Sequence, residues 1–170
     1  MKTFTMKTVR AGVIALVVSL GLSTGAQALE RGDKAADFSL PGKQGTVKLS
    51  DKAGSVIYLD FWASWCGPCR QSFPWMNQMQ AKYKDKGLQV VAVNLDAKTD
   101  DATKFLAQNP ADFTVAFDSK GQTPKVCGVK GMPTSFLIDK SGKILSVHLG
   151  FKSADSEELE KQIQAALEGK

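Results

Sequence analysis

The sequence predicts an α/β domain, with a central mixed sheet flanked by helices. Two nearly continuous apolar, β-prone runs, Ser55 to Trp62 and Leu88 to Leu95, have the pattern of strands covered on both faces. A helical stretch lies between them. β-prone and helical stretches then alternate to the C-terminus, the order expected of a partly parallel sheet with helices on both faces. At 170 residues the chain suits one domain with a single core. Its apolar and charged fractions, 43% and 23%, are ordinary for a globular protein.

The elements follow in order. Ala35 to Leu40 and Thr46 to Leu49 are short extended pieces around the Gly42/Gly45 turn, and Ser50 is placed to cap a brief helical turn. The first buried strand, Ser55 to Trp62, carries one charge, Asp60. A helix is expected after it, to about Tyr83, with Phe73, Met76, Met79 and Tyr83 on one face. Pro74 lies inside that helix and takes a donor from the Arg70 carbonyl, which predicts a kink. Leu88 to Leu95 is the second buried strand, Thr103 to Gln108 a helix and Phe113 to Phe117 a short strand. Thr134 to Ile138 and Lys143 to Leu149 flank Ser141-Gly142 and read as a hairpin. A final helix from about Asp155 buries Leu159, Ile163, Ala166 and Leu167.

Residues 1–28 read as a leader rather than as part of this fold. Lys2, Lys7 and Arg10 form a positive n-region, Ala11 to Leu22 an apolar run, and Ala26-Gln27-Ala28 a cleavage signal. The apolar run is short of the roughly 20 residues that a membrane helix needs. No cysteine follows it, which excludes a lipoprotein anchor. Cleavage after Ala28 leaves residues 29–170 as the mature domain in a compartment where disulfides persist, the periplasm. It removes three basic residues and no acidic one, so the net charge falls from +5 to +2. That is no footprint for nucleic acid.

Two of the three cysteines stand in Ala63-Ser64-Trp65-Cys66-Gly67-Pro68-Cys69-Arg70. Their spacing is compatible with metal ligation, haem attachment, a structural staple or a redox pair. Between a strand and a helix, the first sulfur lies at a helix N-terminus. Unpaired N–H groups and the macrodipole there favour an anion by about 0.3–1 kcal/mol, up to about 2. One pKa unit is about 1.4 kcal/mol, so Cys66 gains acidity of around one unit and becomes a usable nucleophile. Cys69, one turn later and facing inward, is placed to attack a mixed disulfide. Pro68 fits the first turn, where its missing N–H costs nothing.

The run Asp60-Phe61-Trp62-Ala63-Ser64-Trp65-Cys66-Gly67-Pro68-Cys69-Arg70 resembles the active-site strand and loop of thioredoxin. Gly131-Met132-Pro133-Thr134 resembles that superfamily's cis-proline loop. The leader, the early ADFSLPG segment and the extra stretch around residues 96–118 resemble the TlpA/ResA branch of exported thiol–disulfide reductases. The resemblance spans nearly all of Arg31 to Leu167. It implies a thioredoxin-like fold with an N-terminal β extension and a central insertion. It implies Cys66 as attacking thiol and Cys69 as resolving thiol, joined as a redox disulfide. Trp65 then covers the site and, with Gly67 and Pro68, binds substrate, and a cis Pro133 lies against the pair and leaves backbone groups of Met132 free to hold a substrate chain like a strand. The implied partners are proteins with disulfides or thiols, in cytochrome c or copper-site maturation, and a membrane thiol-shuttling electron donor. The disulfide is itself the redox carrier, so no soluble cofactor and no metal are implied, and a monomer is expected.

One departure is informative. The TlpA/ResA branch usually has Glu three residues after the second cysteine and Asn where Asp60 stands; this chain has Ser72 and Asp60. Thioredoxin proper has a buried aspartate at that place. Asp60 is therefore expected to handle the proton of Cys69, with a pKa raised by burial.

Other assignments fit less well. Haem attachment needs a His after the second cysteine, and residue 70 is Arg. A zinc site needs four ligands, and outside the pair the soft candidates are Cys127 and His148. A peroxidatic cysteine wants Thr or Ser three residues before it, and Ala63 stands there. The alternative from another class is an exported copper-binding chaperone on the same fold. Such proteins space their cysteines by three residues, whereas this pair has two, including a Pro, between them. Cys127 is expected as an apolar filler at the domain surface, His148 as a packed or edge residue, and Trp62 and Trp75 as core or groove residues. Residues 82–87 (KYKDKG) read as a solvated helix end.

Overall fold

The structure, a computed structural model, describes residue 1 and residues 28–169. The leader assigned to residues 1–28 falls almost wholly outside them. A five-stranded mixed sheet forms the centre, in the order β5-β4-β3-β6-β7. Strands β3 (Val56–Trp62), β4 (Leu88–Asn94) and β5 (Thr114–Phe117) are parallel neighbours; β6 (Thr134–Ile138) runs antiparallel to β3, and β7 (Ile144–Leu149) antiparallel to β6. Every residue of β3 is buried, as a central strand with two covered faces requires.

Side chains alternate across β3. Val56, Tyr58 and Trp62 enter one core with Cys66, Cys69, Phe73 and Met76 of helix α1 (Gly67–Tyr83), and Ile57, Leu59 and Phe61 enter the other. The first core also takes Phe105 from α2 (Thr99–Gln108) and Leu159 and Ile163 from α4 (Ser156–Leu167). Rings of Trp62, Phe73, Phe105 and Phe113 meet there with centroids 4.8–5.3 Å apart, mostly edge to face. Such pairs add about 0.5–1.5 kcal/mol each beyond burial.

The second face departs from a plain helical layer. It is covered by the short helix α3 (Gln122–Cys127) and by the N-terminal hairpin of β1 (Ser39–Pro41) and β2 (Thr46–Lys48). Gly42 bridges to Ala116 of β5, and a Cβ on it would run into Val47 and the Val115 carbonyl. The hairpin thus closes the open edge of the sheet.

Several boundaries move. Helix α2 starts at Thr99, four residues before its expected start, because its first turn is polar and carries Asp100 and Asp101 where the dipole favours acids. Helix α3 is a new element, framed by Gly121 and Gly128 at φ 60° and 68°. Ser50 opens a 3-10 turn but does not cap it; its N–H donates to the Asp37 carboxylate at 2.9 Å. Helix α1 runs through Pro74 without a break in its helical residues. The KYKDKG end is not wholly solvated: Tyr83 is buried and its hydroxyl lies 2.6 Å from the Glu160 carboxylate, which Lys82 also holds.

Candidate active site

The end of β3 delivers the cysteine pair. After Trp62 the chain bends through Ala63 and Ser64, with the Cys66 N–H donating to the Ala63 carbonyl at 3.1 Å. Cys66 then takes an extended conformation (φ −83°, ψ 107°) as the N-cap of α1, and its Sγ accepts the Cys69 N–H at 3.2 Å. A sulfur thus occupies the capping place usually filled by a side-chain oxygen. Pro68 sits in the first turn. Cys66 and Cys69 are joined as a disulfide with their Cα atoms 5.3 Å apart. Cys69 has no exposed surface and Cys66 only 4%, so an incoming group reaches the pair through Cys66.

Trp65 stands beside the disulfide with 72% of its surface in solvent, and Gly67 and Pro68 are exposed as well. The Met132–Pro133 peptide is cis. Pro133 is buried, Met132 half-buried against the first core, and the Pro133 carbonyl is taken by the Gly150 N–H at 2.8 Å. Among the described residues, neither the N–H nor the carbonyl of Met132 has a backbone partner.

Asp60 shares the parity of Tyr58 and Trp62 on β3 and so faces the core that holds Cys69. It is 1% exposed, one carboxylate oxygen has no hydrogen-bond partner, and burial pushes its pKa well above the carboxylate range. Tyr58 is displaced upward too, by burial and then by the nearby Asp60 charge. Ser72, at the place of the branch's glutamate, is buried and donates to the Cys69 carbonyl at 3.0 Å, a bond within the helix.

A family model described as Redoxin matches residues 30–163. The chain belongs to the Redoxin family. The thiol-disulfide oxidoreductase ResA of Bacillus thuringiensis subsp. konkukian is 36% identical over 155 residues, 90% of this chain and 88% of that one. ResA of Bacillus subtilis is 31% identical, covering 84% of each chain. A crystal structure from Chlorobium tepidum, described as a candidate thiol:disulfide interchange protein DsbE, is 78% identical with a TM-score of 0.81. It covers 82% of this chain and 99% of that one. This Redoxin-family member is a protein-disulfide oxidoreductase on the thioredoxin fold.

The remaining candidates fall elsewhere. Cys127 is not at the surface: it is 2% exposed in the second core, and burial pushes its thiol up to about 11. It closes α3, the element with no sequence signal, which is why its burial was not expected. His148 lies on the edge strand β7 opposite Ser135, with Nε2 3.4 Å from an Asp155 oxygen. Trp62 and Trp75 are both buried core residues. Asp96, just beyond β4, was not singled out in the sequence. Its carboxylate is buried and accepts hydrogen bonds from Ser64 and Asn94. A lone aspartate after a strand carries no pattern that marks it.

Proposed function

We propose that this enzyme is an exported, periplasmic reductase of protein disulfides, with Cys66 as nucleophile and Cys69 as resolving thiol. The observation that carries this reading is the position of Cys66: its sulfur caps α1, and the Gly-Pro linker adds no charge to it. The cap and dipole lower the thiol enough for attack near neutral pH. Without a cationic linker residue the thiolate is stabilised only moderately, so the Cys66–Cys69 disulfide is the favoured form and electrons flow outward to substrate.

In the cycle, the Cys66 thiolate attacks a substrate disulfide, forms a mixed disulfide and releases one substrate thiolate. Asp60 takes the proton of Cys69, whose thiolate attacks the Cys66 sulfur. The mixed disulfide breaks, Cys66–Cys69 forms, and the second substrate sulfur leaves as a thiolate, to which the proton held by Asp60 passes. Two electrons have passed to the substrate, and a dithiol of a membrane thiol-shuttling protein returns them. The exposed Trp65, with Gly67 and Pro68, supplies an apolar surface for the substrate, and the free backbone of Met132 beside Pro133 supports strand-like pairing with it. The disulfide serves as carrier, with no soluble cofactor or metal, in a monomer.

The charge and hydropathy pattern of residues 1–28 supports export and cleavage before Leu29, and the resemblance to the TlpA/ResA branch implies apocytochrome c or copper-site cysteines as substrates. Intact mass of the exported protein should give Leu29 as first residue; full-length chain in the membrane fraction would mean an uncleaved anchor. The deciding experiment equilibrates Cys66–Cys69 with glutathione and dithiothreitol. A potential near the roughly −270 mV of thioredoxin is expected, and one near the roughly −120 mV of DsbA would reverse the proposed direction.

A further inference from the structure

The cysteine loop is tied down by a carboxylate outside the loop itself. Asp96, 4% exposed, follows β4, the parallel neighbour of the strand that carries the site. Its Oδ2 accepts the Ser64 N–H at 3.0 Å and an Asn94 amide hydrogen at 2.8 Å; its Oδ1 lies 3.0 Å from the Ser64 hydroxyl and 3.3 Å from the Ser64 N–H. The Asp96 N–H in turn donates to the Asn94 side-chain oxygen at 3.1 Å, which fixes the carboxylate's own orientation. The Leu95 N–H donates to the Trp62 carbonyl at 2.9 Å, so the two strand ends are also joined immediately before this carboxylate. No lysine or arginine forms an ion pair with Asp96 among the described residues. Its charge is satisfied by loop and amide donors, each such charge-assisted bond being stronger than a neutral one.

We infer that Asp96 is a positioning residue for thiol–disulfide exchange: by clamping Ser64 it holds Cys66 in place at the N-terminus of α1 when the disulfide is open. The physical consequence lies in the reduced state. In the oxidised protein the disulfide itself restrains Cys66. In the dithiol, the Ser64–Asp96 bonds and the Ala63–Cys66 turn hold it from the strand side, beside the first turn of α1 on the other. Stability of an intramolecular disulfide follows the effective concentration of one thiol at the other, and that falls as the loop loosens. Loss of the clamp therefore favours the dithiol and makes the couple more oxidising. This inference rests on Cys66–Cys69 being the working pair, which is tested separately, since Cys66→Ser abolishes exchange whatever Asp96 does.

The test is the equilibrium constant of Cys66–Cys69 with glutathione in four variants of the mature protein, with thermal unfolding measured beside it. Asp96→Ala should shift the constant toward the dithiol by about tenfold, which is about 30 mV for a two-electron couple. Asp96→Asn keeps an acceptor for Ser64 without the charge and should recover most of that shift. Asp139→Ala is the control. It removes another carboxylate that holds a loop, accepting the Ser141 N–H at 2.8 Å and the Lys143 N–H at 2.9 Å at the β6–β7 turn, at the end of β6 away from Pro133, and should lower stability without moving the constant. If Asp96→Ala does not fold, Asn94→Ala carries the test, since it frees the carboxylate from its orienting amide; a shift of at least twofold in the same direction is expected. A constant within twofold of wild type in Asp96→Ala, an unchanged one in Asn94→Ala, or an Asp96→Asn shift as large as that of Asp96→Ala would each overturn the clamp.

Discussion

Ser135 of β6 stands directly across from Asp60 of β3, yet its hydroxyl oxygen accepts its hydrogen bond from Tyr58 at 2.8 Å, not from any donor shared with Asp60. Asp60 lies in the same core with its Oδ2 unpartnered. Burial of the carboxyl with an unpartnered oxygen penalises its charged form and raises its pKa, which makes it a stronger proton acceptor once ionised. That arrangement suits a group that must accept one proton from Cys69 and give it up again. It suits a purely structural aspartate poorly, because a structural aspartate would be hydrogen-bonded.

Asp60→Asn should slow resolution of the mixed disulfide at neutral pH by roughly a hundredfold or more, the range that general-base catalysis provides. The first attack by Cys66 should change little. Stopped-flow measurement of the two steps from pH 5 to 9 separates them. Ser72→Ala, which removes one bond to a helical carbonyl, should turn over as wild type. Full turnover of Asp60→Asn at every pH would make the carboxylate structural.

The same variant has a thermodynamic signature. The folded pKa of Asp60 is raised above its unfolded value, so between the two the native state binds more protons. Stability attached to this group is fully present below the unfolded value near pH 4. It is lost as pH rises toward the folded value. Asn at this position cannot ionise and escapes the loss. The Asp60→Asn protein should therefore match wild type near pH 4 and exceed it increasingly toward pH 8. Thermal unfolding at the two pH values reads this, and a gain that is equal at both would sink the argument.

How much of this was legible in the sequence follows from the reach of each signal. The strand carrying Asp60 is seven buried residues long, so its composition alone announces it. The capping position of Cys66 follows from a strand ending just before a Cys-Gly-Pro-Cys helix, which is local information. The cis form of Met132–Pro133 came through family resemblance, because an X-Pro bond is trans by default about 19 times in 20. Helix α3 was missed: six residues give no periodicity, and two glycines and a proline within eight positions read as a loop. Missing α3 also misplaced Cys127, whose burial depends on where that helix docks. Asp96 is the clearest limit. Its partner Ser64 is 32 residues away, and only the parallel pairing of β3 and β4 brings their ends together.

Cys127 should be silent. With its thiol at about 11, roughly one molecule in three thousand is thiolate at pH 7.5, against about one in ten for an ordinary thiol. Burial in the second core removes access as well. Native oxidised protein should react negligibly with a thiol reagent over minutes, and denatured oxidised protein should release one equivalent. Cys127→Ala should reduce insulin within twofold of wild type while losing about 1 kcal/mol of stability from the lost packing. A disulfide to Cys127 in a peptide map of active enzyme would contradict the two-cysteine cycle.

Trp65 is the residue whose removal should separate binding from chemistry. Its indole is 72% exposed next to a disulfide that is nearly closed to solvent, so it gives the fold little buried area. Large aromatic side chains left in solvent beside a reactive group contribute instead when a partner covers them, commonly by more than 1 kcal/mol at an interface centre. Trp65→Ala should therefore leave thermal stability within about 0.5 kcal/mol. It should raise KM for a protein disulfide by roughly 5- to 30-fold, the factor for one to two kcal/mol. A small disulfide such as oxidised glutathione, which cannot span from Cys66 to the indole and the Met132 backbone together, should be reduced at nearly the wild-type rate. Comparing the two substrates in one variant isolates docking from thiol reactivity. An equal loss with both substrates would place Trp65 in the chemistry of Cys66 rather than in substrate binding.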